Sequence, residues 1–377
     1  MSHLVAAMLV SGSSGLGAGL DEHDMALKVP PVHVNPNGKY ATQTRLWQGI
    51  PSLERATNGR LWAVWYTGGE GEGNQNYVVL VTSGDDGKTW SGPKLVVDPP
   101  DPVRAFDPCL WHDPTGRLWV TWAQSYTLFD GRAGVWGVTT ENSDDETPTW
   151  SAPRRIANGI MMNKPTALSD GAWAFPTAVW NRKPFRKDMA ADRFSNLTIT
   201  RDQGKTFTRV QGPAIPERQC DEHMLVERKD GSWWVLVRTT YGIGQSVSND
   251  KGKTWSPGRD SKIKSPVARF FIRRLRSGRL LLVNHYKFTR RSHMTASLSD
   301  DDGKTWYGHL LLDERKYVSY PDGVEAPDGR IYIIYDRERH RAKEILMAVF
   351  TEADVAKGKC VSKHARLRVL VNKVGNK

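Results

Sequence analysis

Several side chains able to move protons or hold anions fall at two fixed registers of this 377-residue chain. Nine residues before Gly116, Gly231, Gly278 and Gly329 stand Asp107, Glu222, Arg269 and Tyr320. Seven residues after Gly231, Gly278 and Gly329 stand Arg238, His285 and Asp336. Carboxylates, phenols and imidazoles are the usual proton carriers, and arginine grips an oxyanion through paired N–H bonds. Taken singly, Asp107 in "FDPCLW" or Asp336 in "YDRER" reads equally well as a turn former or an arginine's partner. The shared register argues for one pocket.

The glycines that define the register belong to a repeated element. "NGRLWAVWY", "TGRLWVTWA", "DGAWAFPTAVW", "DGSWWVLVR", "SGRLLLVNH" and "DGRIYIIYD" each place a polar-Gly turn before an apolar run, at Gly59, Gly116, Gly171, Gly231, Gly278 and Gly329. Asn-Gly and Asp-Gly between strand-forming runs mark hairpins, and the runs are rich in Trp, Val, Ile and Tyr. Six units 47 to 60 residues apart leave room for about four short strands each. The fold expected is therefore all-β: a six-bladed β-propeller of four-stranded antiparallel blades over residues 41–358. Residues 1–40 are read as an N-terminal segment and 359–377 as a basic C-terminal tail.

A second repeat follows each turn by about 18 to 30 residues: "SGDDGKTWSG" from Ser83, "TRDQGKTFTR" from Thr200, "SNDKGKTWSP" from Ser248 and "SDDDGKTWYG" from Ser299. "SDDETPTWSA" from Ser143 is a worn copy with Thr147 in the glycine's place. Asp bonds its own following backbone, Gly supplies a left-handed residue, and Trp90, Trp255 and Trp306 bury between blades. A calcium loop needs acids at alternating positions before the glycine, and Leu298 stands where the first would be. These loops are scaffold.

Net charge is +12, with basic residues dense at 182–193, 269–279, 286–291 and 337–343. An anionic partner fits that balance. The basic clusters match no nucleic-acid-binding motif, so nucleic acid is not the partner expected. Three cysteines, Cys109, Cys220 and Cys360, give neither a disulfide framework nor a metal-ligand spacing, and no metal is expected. The N-terminal glycines miss the dinucleotide fingerprint, and no cofactor is expected. No apolar stretch has the length of a membrane span. The start, "MSHLVAAMLVSGSSGLGAGL", resembles a shortened secretion signal without its leading Lys or Arg, consistent with a secreted or periplasmic protein.

S-x-D-x-G-x-T-W is the Asp box, and six blades carrying it resemble the sialidase (neuraminidase) superfamily from about residue 45 to about residue 350. The box specifies fold more than reaction, because propellers without activity also carry it. The resemblance implies an exo-acting glycoside hydrolase that releases a terminal sugar from an acidic glycan. "CDEHMLVERKDGSWWVLVR" then supplies Glu222 as the base partner and Arg238 as one arm of a carboxylate-binding arginine trio. "PVARFFIRRLRSGRLLL" implies Arg269 as a second arm, and "VSYPDG" implies Tyr320 as the nucleophile. A neutral phenol avoids the repulsion that a carboxylate nucleophile meets at an anionic sugar.

One position departs from the pattern. Sialidases carry an arginine immediately before Ile-Pro on the first blade, and "LWQGIPSLERA" has Gly49 there. Arg45, Lys164 and Arg337 are the candidates to supply the missing arm. For the acid/base, Glu70 and Glu72 in "TGGEGEGNQN" and Asp107 on the next blade are all open. His285 with Asp107 and the lost arm would also suit a glycosidase acting on a uronic-acid-linked sugar such as rhamnose–glucuronate, or a lyase with Tyr320 or His285 as its base. A glycan-binding propeller without turnover, stacking sugar on Trp47, Trp111 and Trp180, is the third reading.

Overall fold

Each of the six turn glycines closes a hairpin with a positive φ, from +81° at Gly231 and Gly329 to +98° at Gly59. The computed structural model describes residues 27–126, 133–180 and 187–375. Its strands form six antiparallel sheets, each built from consecutive strands. The innermost strands are Trp47–Arg55, Val103–His112, Thr166–Ala167, Met224–Glu227, Phe271–Arg274 and Val318–Glu325 for blades one to six. The fold is the six-bladed propeller expected from the turn spacing.

Both ends of the blade region extend further than the sequence suggests. Val32–Val34 pairs with Leu95–Val97 as a fifth strand on blade one. Arg366–Lys373, within the stretch set apart as a basic tail, pairs with Glu344–Thr351 as the outer strand of blade six. Its four apolar residues are interspersed with Arg366, Arg368 and Lys373, and most of its positions are at least partly exposed, which is why it reads as a basic tail. Residues 1–26, where a secretion signal is expected, lie outside the described residues. Among the described residues no helix is long and apolar enough to cross a membrane.

The S-x-D-x-G-x-T-W loops work as internally bonded clips. In "SDDDGKTW" the Ser299 hydroxyl donates to Asp301 at 2.8 Å and accepts from the Gly303 N–H at 2.8 Å. Asp301 accepts from the Thr305 amide and hydroxyl at 2.9 and 2.6 Å. Gly303 has φ +84°, and a Cβ there would lie 2.5 Å from Trp234 of the preceding blade. Glycine is needed for conformation and for close approach alike.

Each clip also reaches back to the turn of the blade before it. Asp144 of blade two accepts from Thr57 and Asn58 at 2.6 and 2.9 Å. Gln203, Lys251 and Asp302 meet Arg117, Asp170 and Lys229 in the same way. Asp86 of blade one meets Arg330 and Tyr332 of blade six at 3.0 and 2.7 Å, which closes the ring. Blade six has the short helix Glu352–Lys357 instead of a clip, and Glu352 accepts from Ser277 and Arg279 of blade five.

Three innermost strands carry the same irregularity. Ile50-Pro51, Asp107-Pro108 and Tyr320-Pro321 sit at register shifts in blades one, two and six. The residue before each proline has a left-handed φ of 59°, 47° and 55°. Proline disfavours right-handed helical geometry in the residue before it, and a bulge re-aims one side chain out of the pleat. Blades six, one and two are consecutive around the ring, so this bulge sets Tyr320 and Asp107 at one mouth of the axis.

Candidate functional site

Tyr320 and Glu222 meet across the mouth of the propeller. The phenol donates to Glu222 Oε1 at 3.1 Å, and both side chains are buried. Arg238 Nη1 donates to the same carboxylate oxygen and to the Tyr320 oxygen, the latter at 3.3 Å. Burial pushes the Tyr320 phenol up to about 12, the Glu222 charge adds to this, and Arg238, Arg291 and Arg339 oppose it. The phenol is therefore neutral near pH 7 and holds a proton aimed at a carboxylate. Glu222 Oε2 and Arg238 Nε are buried without a hydrogen-bond partner among the described residues. Other buried polar atoms of the chain are also unmet, many of them in the blade core, but these two lie at the mouth, where a ligand can supply the missing bonds.

Two further guanidiniums stand over the Tyr320 ring. The Arg291 carbon Cζ lies 5.2 Å from the ring centroid and that of Arg339 lies 5.0 Å away. Arg291 is fixed by a 3.1 Å bond to the Val267 carbonyl. Arg339 also lies 5.8 Å from the Trp47 ring, donates to Glu72 at 2.8 Å and has Asp336 at 3.8 Å. Asp336 in turn accepts from the Ile50 amide at 2.8 Å. A cavity of about 300 Å³ opens beside them, lined by Arg291, Ser319, Arg339, His340 and Arg341 among others.

Asp107 and Glu72 complete the acidic set. Asp107 is 3% exposed. Burial is the largest influence on it; Arg104 and Arg269 pull the other way, the Glu72 and Glu222 charges add to burial, and the net effect lifts it to about 8. Asp107 thus carries a proton at neutral pH. Glu72 is ion-paired with Arg339 and partly exposed, and Glu70 is exposed on the same loop. The arrangement offers a neutral phenol with a proton acceptor, a protonated carboxylic acid and a cluster of three arginines.

The structure therefore brings together Tyr320, Glu222, Arg238, Asp107 and Glu72 of the expected residues, and it redirects four others. Arg269 is fully buried: it donates to Asn163 at 2.6 Å, to the Pro51 carbonyl at 3.2 Å and to Asp322 at 3.1 Å. Arg291 takes the place beside Tyr320 that the register assigns to Arg269. His285 is also fully buried, with Nε2 on the Val318 carbonyl at 2.8 Å, and burial holds its pKa down at about 4. It faces no ligand. Arg45 bonds the Tyr40 carbonyl at 2.9 Å and lies over Trp65 among the apolar residues of blade one. Arg337 is paired with Glu344 at 3.0 Å.

Lys164 is the remaining candidate for the third arm, and it lies elsewhere. Its ammonium is enclosed by Glu54 at 2.8 Å, Asp322 at 3.3 Å and the Leu53 and Leu110 carbonyls. Together with Arg269 these groups form a buried ionic plug on the axis. The tryptophans proposed as a sugar platform are core residues: Trp47, Trp111 and Trp180 are 0%, 2% and 7% exposed. Arg291 and Arg339 were the residues missed, and the only signal for them was the basic density of 286–291 and 337–343.

A sialidase-like six-bladed propeller with a tyrosine–glutamate pair at its axial mouth is the class that fold and site define. The chain belongs to the BNR repeat-like domain family, which matches residues 48–333. It is 25% identical over 243 residues to a sialidase of Paraclostridium sordellii, covering 55% of this chain and 56% of that one. It is 24% identical over 266 residues to a sialidase of Micromonospora viridifaciens, covering 68% and 33%. The chain thus spans about half and about a third of the length of these two relatives. Among solved structures, it superposes on the intramolecular trans-sialidase from Ruminococcus gnavus with a TM-score of 0.64 at 15% identity, covering 86% of this chain and 98% of that one. A Hadza microbial sialidase gives a TM-score of 0.61 at 18% identity, covering 79% and 66%. At such identities the superpositions speak for the fold.

Proposed function

We propose that this protein is an exo-acting glycoside hydrolase of sialidase type, releasing a terminal sugar acid from glycans. The observation that carries the reading is the Tyr320–Glu222 bond of 3.1 Å lying beneath arginines from different blades. Arg238 and Arg291 bind the sugar carboxylate and set the anomeric carbon over the Tyr320 oxygen. As that oxygen bonds to the anomeric carbon, the glycosidic C–O bond breaks. The phenol proton passes to Glu222, and Asp107 gives its proton to the departing oxygen. Water then attacks the anomeric carbon, Asp107 takes the water's proton, and the tyrosyl oxygen leaves and recovers its proton from Glu222. Two displacements on one carbon retain its configuration.

Of the two bases open to a lyase, His285 is bonded to the Val318 carbonyl in the interior, and Tyr320 is bonded to Glu222 with its proton held, which favours the hydrolase. The basic lining of the adjoining cavity supports an anionic sugar. The test is turnover of an activated sialoside by the parent protein and by Tyr320→Phe, with the first-formed anomer followed by NMR. Release of the retained anomer by the parent alone supports the assignment. Equal turnover by the variant, or a product with a new carbon–carbon double bond, overturns it.

A further inference from the structure

The geometry points to Arg339, from the loop after the second strand of blade six, as the arm of the carboxylate clamp that blade one lacks. Gly49 is the accommodation that lets it in. A Cβ built on Gly49 would lie 2.2 Å from Arg339 Cδ and 2.7 Å from Cγ. The stem of Arg339 thus occupies the space that any side chain at position 49 would need. Gly49 has no positive φ, so its backbone would accept other residues. The constraint on it is the neighbouring arginine.

The loop that carries Arg339 is built to hold it. The Glu338 N–H donates to the Tyr317 carbonyl at 3.1 Å, and the Arg341 and Lys343 N–H groups both donate to the Glu338 carbonyl, at 2.8 and 2.9 Å. Glu338 and Lys343 take left-handed φ values of 47° and 53°, which fold the segment back over the mouth. The guanidinium ends 5.0 Å from the Tyr320 centroid, against the Trp47 ring and lining the cavity. Asp336, tied to the Ile50 amide, sits behind it as counter-charge. The first-blade backbone thus positions the arginine without supplying it.

This assignment rests on the site's being one for a sugar carboxylate, and the test separates the two claims. N-Acetylneuraminic acid and its methyl ester are titrated by NMR into the parent, Arg339→Met, and the double variant Gly49→Arg with Arg339→Ala. Methionine keeps the stem's packing and drops the charge. Thermal unfolding confirms that each variant folds. Losing a charge-assisted pair of bonds weakens acid binding on the order of 10- to 100-fold. That loss is expected in Arg339→Met with ester binding unchanged. In the double variant an arginine returns to position 49, where the nearest remaining atom is Asp336 Oδ2 at 3.0 Å, and most of the acid preference should return. Undiminished acid preference in Arg339→Met overturns the inference and leaves the proposed function standing. A loss that the double variant does not recover overturns the equivalence of the two positions. A parent that does not prefer the acid to the ester overturns both claims.

Discussion

Two clusters of charge lie on the axis of this propeller, and they differ in how their charges are met. In the plug, Lys164, Glu54, Asp322 and Arg269 partner one another and the neighbouring carbonyls, with Arg269 bonded at three of its nitrogens. At the mouth, three guanidiniums gather round one phenol while Glu222 Oε2 and Arg238 Nε go unmet. Burial alone does not separate the clusters, since Glu222 and Arg269 are both buried. Completeness of bonding does. Charges that are fully paired inside a protein hold structure, whereas charged groups with open bonds at a mouth can still take up those of a ligand.

The comparison breaks most sharply at Tyr320. Removing its hydroxyl in Tyr320→Phe takes away the nucleophile while the ring keeps its packing. Turnover should fall on the order of 10⁴-fold or more, as for nucleophiles elsewhere. The urea midpoint should stay close to that of the parent. A variant that loses stability in step with activity would place Tyr320 with the plug.

The reverse pattern is expected of Arg269→Met. Removing one partner of a buried pair leaves Asp322 with Lys164 alone as its cation, at a cost of up to about 3–5 kcal/mol. Urea unfolding should reveal that loss. Below the transition, turnover per folded molecule should match the parent. A folded Arg269→Met protein that no longer prefers the sugar acid would return Arg269 to the clamp.

Asp107 gives a pH-dependent form of the same contrast. Its folded pKa of about 8 lies above that of an unfolded aspartate, near 3.9. The folded state therefore binds the extra proton between those values. Its contribution to stability is fully present below about pH 4 and is lost as pH rises through about 8. Turnover should lose its alkaline limb near pH 8 in Asp107→Asn. It should also fall about 10²-fold for a sugar leaving group, and less for an aglycone that departs without a proton. A limb that persists in Asp107→Asn would assign the proton to another group.

How far all this was legible in the sequence follows from which residues the turns control. A strand's register is fixed by its hairpin, so counting from Gly231 and Gly329 reached Glu222, Arg238 and Tyr320, and counting from Gly116 reached Asp107. Arg291 and Arg339 sit on loops beyond the second strands of blades five and six, where no repeat fixes the count. Arg269 shares the register of Glu222 but faces Asp322, two residues after Tyr320 on a neighbouring blade, and only the closed ring reveals that pairing. The Asp residues of the clips announced themselves by repetition. The outer strand Arg366–Lys373 was hidden because Arg366, Arg368 and Lys373 break up its apolar run.

The smallest effect expected is at Glu72, and it tests whether the mouth is bound to itself before a ligand arrives. Glu72 pairs with Arg339 at 2.8 Å, with 40% of its side chain exposed. An ion pair so open to water contributes about 0–1 kcal/mol. Glu72→Gln should therefore leave stability unchanged. With its competitor neutralised, Arg339 should hold a sugar carboxylate slightly more tightly, lowering KM up to about threefold at low salt, and the gain should shrink as added salt screens the pair. If the variant instead lost turnover by 10²-fold or more while Asp107→Asn kept its alkaline limb, Glu72 would be the proton donor and Asp107 a buried acid of the wall.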